Sequence, residues 1–162
     1  MIIFVTVNLK KILKLKKNYP WPRPKICPNC RAHKVWGHGF LLAYFDEFSS
    51  GILIRRYRCP NCSTVIRMRP AGYLSRFQAT IKTIRSSIES KVLKQKWLST
   101  LDRTRQQHWF RGLVRRAKAF LGNTWKNGMV EAFDFFVSNK INPVTRSFKP
   151  EAYSIHIQPT EE

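Results

Sequence analysis

Acidic residues are scarce in this chain. It has 162 residues, and nine Asp and Glu stand against 30 Lys and Arg, which gives a formal net charge of +21. The excess is uneven, because residues 1–118 carry a net charge of +22 and residues 119–162 a net charge of −1. Such a charge makes a polyanion the first partner to consider, nucleic acid before an anionic membrane. We expect the polyanion-binding part to end near residue 118.

Long apolar runs are also missing. No span approaches the ~20 apolar residues of a transmembrane helix. The apolar start at residues 1–7 is short and precedes its lysines, which reverses the order of a secretory signal. We therefore expect a cytoplasmic protein without a membrane partner. The length excludes a large catalytic barrel, and 43% hydrophobic and 13% aromatic residues exclude a disordered chain.

Patterns that indicate an active site are absent from the sequence. The Gly37–Gly39 segment is too short for a nucleotide-binding loop. His108 has no cysteine or serine partner that the sequence identifies. Glu131 and Asp134 lie three residues apart, but no third acid is well placed for two-metal strand chemistry, so we interpret both as surface charges. We expect a protein that is not an enzyme.

Four cysteines form two Cys-Pro-Asn-Cys motifs separated by 28 residues. A C-x2-C turn can direct two sulfurs at one ion, and the gap is long enough for one strand out and another back. We predict a structural Zn²⁺ site, and we favour it over a redox pair because proline follows the first cysteine of both motifs. His33 and His38 are interpreted as surface or packing residues. The predicted ligands are Cys27, Cys30, Cys59 and Cys62.

The residue pattern before position 73 predicts a basic segment and a small sheet. Residues 1–24 are interpreted as a basic arm, either solvated, along phosphates or on a membrane surface, and a proline-rich linker. Residues 25–70 are interpreted as a zinc ribbon, because aromatic and β-branched residues alternate with polar ones. Its predicted strands are Val35–Phe45, Gly51–Arg58 and Thr64–Met68.

The pattern after position 73 predicts helices. Apolar residues from Leu74 to Val92 recur at spacings of three and four, which is typical of an amphipathic helix. A second set, including Trp109 and Leu113, ends at Gly122. The segment Lys91–Leu98 followed by a Ser-Thr turn suggests a helix-turn-helix. Residues 73–121 are therefore assigned to a basic helical domain, and 122–162 to a short helix and a loosely ordered tail. The predicted fold class is α+β.

The second helix and the ribbon strands supply the candidate DNA contacts. Arg and Gln can make paired hydrogen bonds to base edges, and Arg and Lys can hold phosphates. A solvated basic face on a plain helical bundle, or a surface for RNA, remains an alternative. The candidate residues are Arg55, Arg56, Arg103, Arg105, Gln106, Gln107, Arg111, Arg115, Arg116 and Lys118.

These segments resemble a known family. CPNC, HKVWGHGF, RRYRCPNC and RMRP in order resemble the zinc ribbon of insertion-sequence transposases and their small companion proteins. SRFQATIKTIRSSIES and DRTRQQHWFRGL resemble the helix-turn-helix that follows that ribbon. Arg31 and Ser63 stand where a glycine often follows the second cysteine of each pair. The resemblance covers residues 25–121.

The resemblance implies DNA recognition within a mobile genetic element, with duplex transposon ends as the target and Zn²⁺ on the four cysteines. About 40 residues follow the helices, which is too few for the catalytic domain of a full transposase. The implied role is a DNA-binding companion, with a separate catalytic transposase as a possible partner. The alternatives are an RNA-binding or ribosome-associated zinc-ribbon protein and a remnant nuclease that needs a partner subunit.

Overall fold

A computed structural model describes residues 1–122, 125–145 and the backbone of 155–156. The chain forms two compact units. The first comprises Met1–Gln78 and the strand at Ile155–His156, and the second lies within Ala79–Glu151. The first unit is built mainly from strands and the second from helices, so the predicted α+β class is confirmed. In the described part of the chain, no helix combines the length and the apolar character needed to cross a bilayer.

The first unit contains a five-stranded sheet in the order β2-β3-β4-β1-β5. Strands β2, β3 and β4 are antiparallel, whereas β1 runs parallel to both β4 and β5. The three strands predicted from the alternating pattern are present as β2, β3 and β4. The elements of this unit are β1 (Ile2–Val5), α1 (Leu9–Leu15), a 3-10 turn (Lys16–Asn18), β2 (Trp36–Ala43), β3 (Ile52–Arg58), β4 (Val65–Pro70) and β5 (Ile155–His156).

Residues 1–24 do not form the separate basic arm and linker that the sequence suggests. Ile3 and Val5 of β1 and Ile12 of α1 are buried in the same hydrophobic cluster as the ribbon strands. Trp21, in the proline-rich segment, is buried there too, and its carbonyl accepts a hydrogen bond from the Tyr57 hydroxyl at 3.4 Å. The apolar side chains of this segment are needed to cover a sheet too small to bury itself.

The second unit is built from α2 (Ile81–Lys94), α3 (Arg103–Leu121) and α4 (Met129–Ser138), which pack against one another. The side chain of Thr80 caps α2 and that of Asp102 caps α3, accepting from the Arg105 N–H at 2.8 Å. Gly112 lets α3 approach the backbone of Val144 closely, since a Cβ at position 112 would lie 2.2 Å from the carbonyl oxygen of Val144.

Two helix boundaries differ from the prediction. The apolar spacing begins at Leu74, but α2 begins only at Ile81, because Arg76 has a left-handed φ of 69° and Leu74 is buried in an irregular segment. The expected short helix at Lys91–Leu98 is instead the end of α2 and a non-helical connection. Gln95, with a φ of 55°, ends α2 there.

The C-terminal tail is described only in part. The expectation of loose order covers the tail after Pro143, of which residues 146–154 and 157–162 lie outside the described residues. Val144, at the start of that tail, is buried. Ile155 and His156 do form a strand, β5, which pairs with Ile3 and Phe4 of β1. The short helix expected at residues 123–137 is present as α4, from Met129 to Ser138.

Candidate metal centre and cationic surfaces

Each Cys-Pro-Asn-Cys motif forms a tight turn beside the sheet. The backbone N–H of Cys27 donates to the Ala32 carbonyl at 2.8 Å, and the N–H of Arg31 donates back to the Cys27 carbonyl at 2.9 Å. In the second motif, between β3 and β4, the N–H of Cys59 donates to the Thr64 carbonyl at 3.0 Å. Both turns therefore reverse the chain directly after the second cysteine.

The residue after each second cysteine adopts a left-handed backbone. Arg31 has a φ of 62° and Ser63 a φ of 57°. Glycine is the usual residue in this conformation, because a Cβ there costs roughly 1–2 kcal/mol. The two turns thus have the same local geometry despite lacking glycine.

The four sulfurs of Cys27, Cys30, Cys59 and Cys62 lie within 4.8 Å of one another. The two short distances join the motifs, at 3.6 Å between Cys27 and Cys62 and 3.5 Å between Cys30 and Cys59. The cysteines are free thiols rather than disulfides. A tetrahedron with metal–sulfur bonds of ~2.3 Å has edges of about 3.8 Å, so the cluster has the size of a four-thiolate metal site.

Neighbouring groups favour the thiolate form of Cys62 and Cys30. At Cys59 the Cys62 backbone acts in the same direction, but burial and the Cys30 thiol outweigh it and raise the pKa to about 11. The Thr64 hydroxyl lies 3.2 Å from the Cys62 sulfur and receives a hydrogen bond from the Asn29 amide at 3.1 Å. Hydrogen bonds from the Thr64 side chain and backbone, then from Asn29, lower the pKa of Cys62 to about 5. The Ala32 backbone, and then the Asn61 amide, lower the pKa of Cys30.

The donor set determines what chemistry the cluster can support. Metal ligands must be deprotonated, and hydrogen bonds to the sulfurs assist this. Four thiolates complete a tetrahedral shell and leave no open position for water, which is the arrangement of a structural site. In the described part of the chain, this is the one group of three or more potential ligands that come together, and neither His33 nor His38 belongs to it.

Four predicted DNA contacts form an exposed row on α3, which we call the α3 stripe: Arg103, Arg111, Arg115 and Lys118. Their spacings of eight, four and three residues place them on one side of the helix. All four side chains are exposed, and they form no ion pair within the described part of the chain. Gln107 lies on the same side and is half-buried.

Two predicted DNA contacts on α3 are buried instead. Gln106 is 0% exposed, and its side chain binds the chain that precedes α3. Its Oε1 accepts from the Ser87 hydroxyl at 2.8 Å and the Leu98 N–H at 3.0 Å, and its Nε2 donates to the carbonyls of Leu98 and Leu101. Arg116 is 3% exposed.

The spacing of the helix could have identified both buried residues. Gln106 lies three and seven residues before Trp109 and Leu113, both of which are buried, and Arg116 lies seven and three after them. They therefore share the inward face. Arg105 is half-buried, with its guanidinium 5.0 Å from the centre of the Trp109 ring.

Arg55 and Arg56 are adjacent on β3 and so point to opposite faces of the sheet. The Arg55 guanidinium stacks 4.7 Å from the Phe40 ring and 5.5 Å from the Tyr57 ring, so it is occupied by packing. Arg56 lies directly opposite Arg67 of β4. Sequence reasoning did not single out Arg67, because its importance depends on a cross-strand partner eleven residues away.

Comparison of the chain with protein-family profiles, with curated proteins and with solved structures finds no match. The residues and their geometry therefore carry the functional argument alone.

Proposed function

We propose that this chain is a zinc-dependent DNA-binding protein of a mobile genetic element, which recognises duplex transposon ends and leaves strand cleavage to a separate transposase. The observation that carries the proposal is the exposed α3 stripe, for which the described residues supply no ion-pair partner. Arg111 and Arg115 are like charges four residues apart, an arrangement that destabilises a helix unless an anion lies nearby.

The contrast with Arg85 supports this use of the stripe. Arg85 donates to both carboxylate oxygens of Asp134 at 2.8 Å and contacts Glu89 at 3.4 Å. Asp134 and Glu89 thus pair with Arg85 of α2, whereas no acid pairs with the α3 stripe among the described residues. Phosphates are the anions that such a row fits, and Gln107 beside it has the donor and acceptor that adenine requires.

Zinc is the metal that the sulfur cluster fits best. Four thiolates from two C-x2-C turns are typical of structural Zn²⁺, which has no redox chemistry of its own. Zinc would fix the two turns and hence the ends of β2, β3 and β4. The exposed cations Lys25 and Arg31 beside the first turn would offset the negative charge of the four-thiolate site.

The experiment that tests the proposal measures duplex binding of the full chain across a salt series. A duplex would first be selected from a random-sequence library. Replacing Arg111 and Arg115 together by Gln should reduce the salt slope by about 2, since each phosphate contact contributes roughly −0.9 on B-DNA. The double variant Lys82→Gln with Lys94→Gln removes two exposed cations from α2 and serves as the matched control.

Base readout is tested separately with Gln107→Ala. This variant should lose about 1–3 kcal/mol of binding at one base pair and little elsewhere. Equal weakening on every sequence would leave only phosphate binding. If the α2 control weakened binding as much as the α3 variant, the stripe would not be the contact surface. Preference for structured RNA at the same salt would contradict the proposal and favour an RNA-binding protein.

A further inference from the structure

A second cationic surface lies on the sheet of the first unit. Trp36 of β2 pairs with Arg58 of β3, and Arg58 pairs in turn with Val65 of β4. Arg56 lies two residues before Arg58 and pairs with Arg67. Directly opposed residues, and residues two apart on one strand, share a face of the sheet. We call this set, Trp36, Arg56, Arg58, Val65 and Arg67, the arginine face.

The arginine face is open and lacks negative charge. Arg58 and Arg67 are exposed, Arg56 is half-buried, and none of the three forms an ion pair within the described residues. The first unit has two acids before Gln78, both in the loop after β2, and one of them, Glu47, accepts a hydrogen bond from Tyr73. An anion is thus the ligand that this face requires.

The pairing of Arg56 with Arg67 supports an anion site more specifically than the net charge of the face does. Like charges directly opposite each other destabilise a sheet. The Nε of Arg56 is also buried and has no hydrogen-bond partner among the described residues. A phosphate bound between the two guanidinium groups would relieve the repulsion, and Arg presents paired donors that match phosphate oxygens.

Trp36 identifies the kind of polyanion. Its side chain is 58% exposed, although a tryptophan that only filled the core would be covered. An indole beside arginines can stack on an unpaired base while the arginines hold the backbone. Bases of a duplex are already stacked on each other. The face extends over three strands, about 10 Å, which suits a strand lying across the sheet.

We propose that the arginine face binds single-stranded DNA, with one base stacked on Trp36 and phosphates held by Arg56, Arg58 and Arg67. The inference rests on the proposed function in one respect, the choice of DNA over RNA. It adds a site on the first unit for unpaired DNA, separate from the duplex contact of α3. A protein with both sites would bind duplex and single-stranded DNA.

The experiment uses the full chain and a labelled 12-nucleotide DNA strand, with its duplex and an abasic strand of equal length as companions. Trp36→Ala should weaken binding of the base-containing strand at least about fivefold, because loss of one stacked base costs roughly 1–3 kcal/mol. Binding to the abasic strand and the duplex should stay within twofold. Tyr44→Ala, which removes another exposed aromatic of this unit, is the matched control.

A second variant tests the arginines independently of stacking. Arg58→Gln with Arg67→Gln should reduce the salt slope on both single strands by about 1.4, since each phosphate contributes about −0.7 on single strands. Lys10→Gln with Lys11→Gln, two exposed cations of α1, should leave that slope unchanged.

The outcomes separate this inference from the proposed function. Duplex binding without single-strand binding overturns the arginine face and leaves the proposed function intact. Single-strand binding that is sensitive to Trp36, without duplex binding, supports the face and contradicts the proposed function. An equal effect of Trp36→Ala on strand and duplex overturns the stacking role, and tighter binding of an RNA strand of the same sequence overturns the choice of DNA.

Discussion

Different interactions hold the local structure of the two units in place. In the first, the geometry at the ends of β2, β3 and β4 depends on four cysteines from two turns whose sulfurs lie within 4.8 Å. In the second, a buried amide takes the corresponding role, since Gln106 forms four hydrogen bonds to Ser87, Leu98 and Leu101. A small sheet needs an external crosslink, whereas packed helices can order a connection with one well-placed polar side chain.

Removal of the metal should have the largest effect, and it should affect only the first unit. A structural Zn²⁺ contributes roughly 10–16 kcal/mol to folding in zinc-finger peptides. Chelation should therefore unfold the first unit and leave the three helices folded. Hydrogen exchange distinguishes the two units, because the amides of β2, β3 and β4 should lose protection while those of α2 and α3 keep it. Zinc addition should restore protection, and equal loss in both units would contradict the prediction.

A change at Gln106 should have the second largest effect, and it should affect only the helices. Gln106→Leu leaves the Ser87 hydroxyl and the backbone groups of Leu98 and Leu101 without their partners. An unsatisfied buried group such as the Ser87 hydroxyl costs about 1–3 kcal/mol, and the backbone groups of Leu98 and Leu101 cost less because both residues are half-buried. We therefore expect a loss of about 2–4 kcal/mol in the free energy of unfolding. Urea unfolding followed by helical circular dichroism measures it.

Gln107→Leu is the control for this experiment, because Gln107 is the next residue on the same helix and is only half-buried. It should change the free energy of unfolding by less than about 0.5 kcal/mol. Similar losses from the two variants would show that Gln106 does not order the connection before α3.

The smallest expected effect is a gain at the metal turns. Ser63 has a φ of 57°, so Ser63→Gly removes a strained Cβ, although the greater freedom of glycine in the unfolded chain offsets part of the benefit. We expect zinc affinity to rise about threefold in a chelator competition, equivalent to about 0.7 kcal/mol. Ser50→Gly, in the exposed turn before β3, should bring no gain; equal gains at both sites would refute the strain argument.

Local patterns predicted the parts of the structure that depend on neighbours in the sequence. The two C-x2-C motifs and the three alternating segments correspond to the sulfur cluster and to β2, β3 and β4. The apolar spacing predicted that α2 and α3 are helical. It placed the start of α2 too early, because Leu74 is buried in an irregular segment rather than on a helix face.

Sequence reasoning failed where distant residues meet. The apolar start of the chain and the lysines after it suggest a separate arm. In the structure, however, β1 pairs with β4, more than sixty residues away. Gln106 and Gln107 are neighbouring glutamines on one basic helix, but only Gln106 lies on its inward face. No local pattern marks Arg67, because its position opposite Arg56 depends on the pairing of β3 with β4.

The four-cysteine motif, the α+β class and the cationic character follow from the sequence, because residue spacing, periodicity and net charge are properties of the chain alone. The tertiary structure decided which cations remain on the surface, which face of the sheet carries Trp36 with three arginines, and which glutamine is buried. Those outcomes depend on long-range pairing and on burial. The environment of each of these side chains is formed by residues that are remote in sequence.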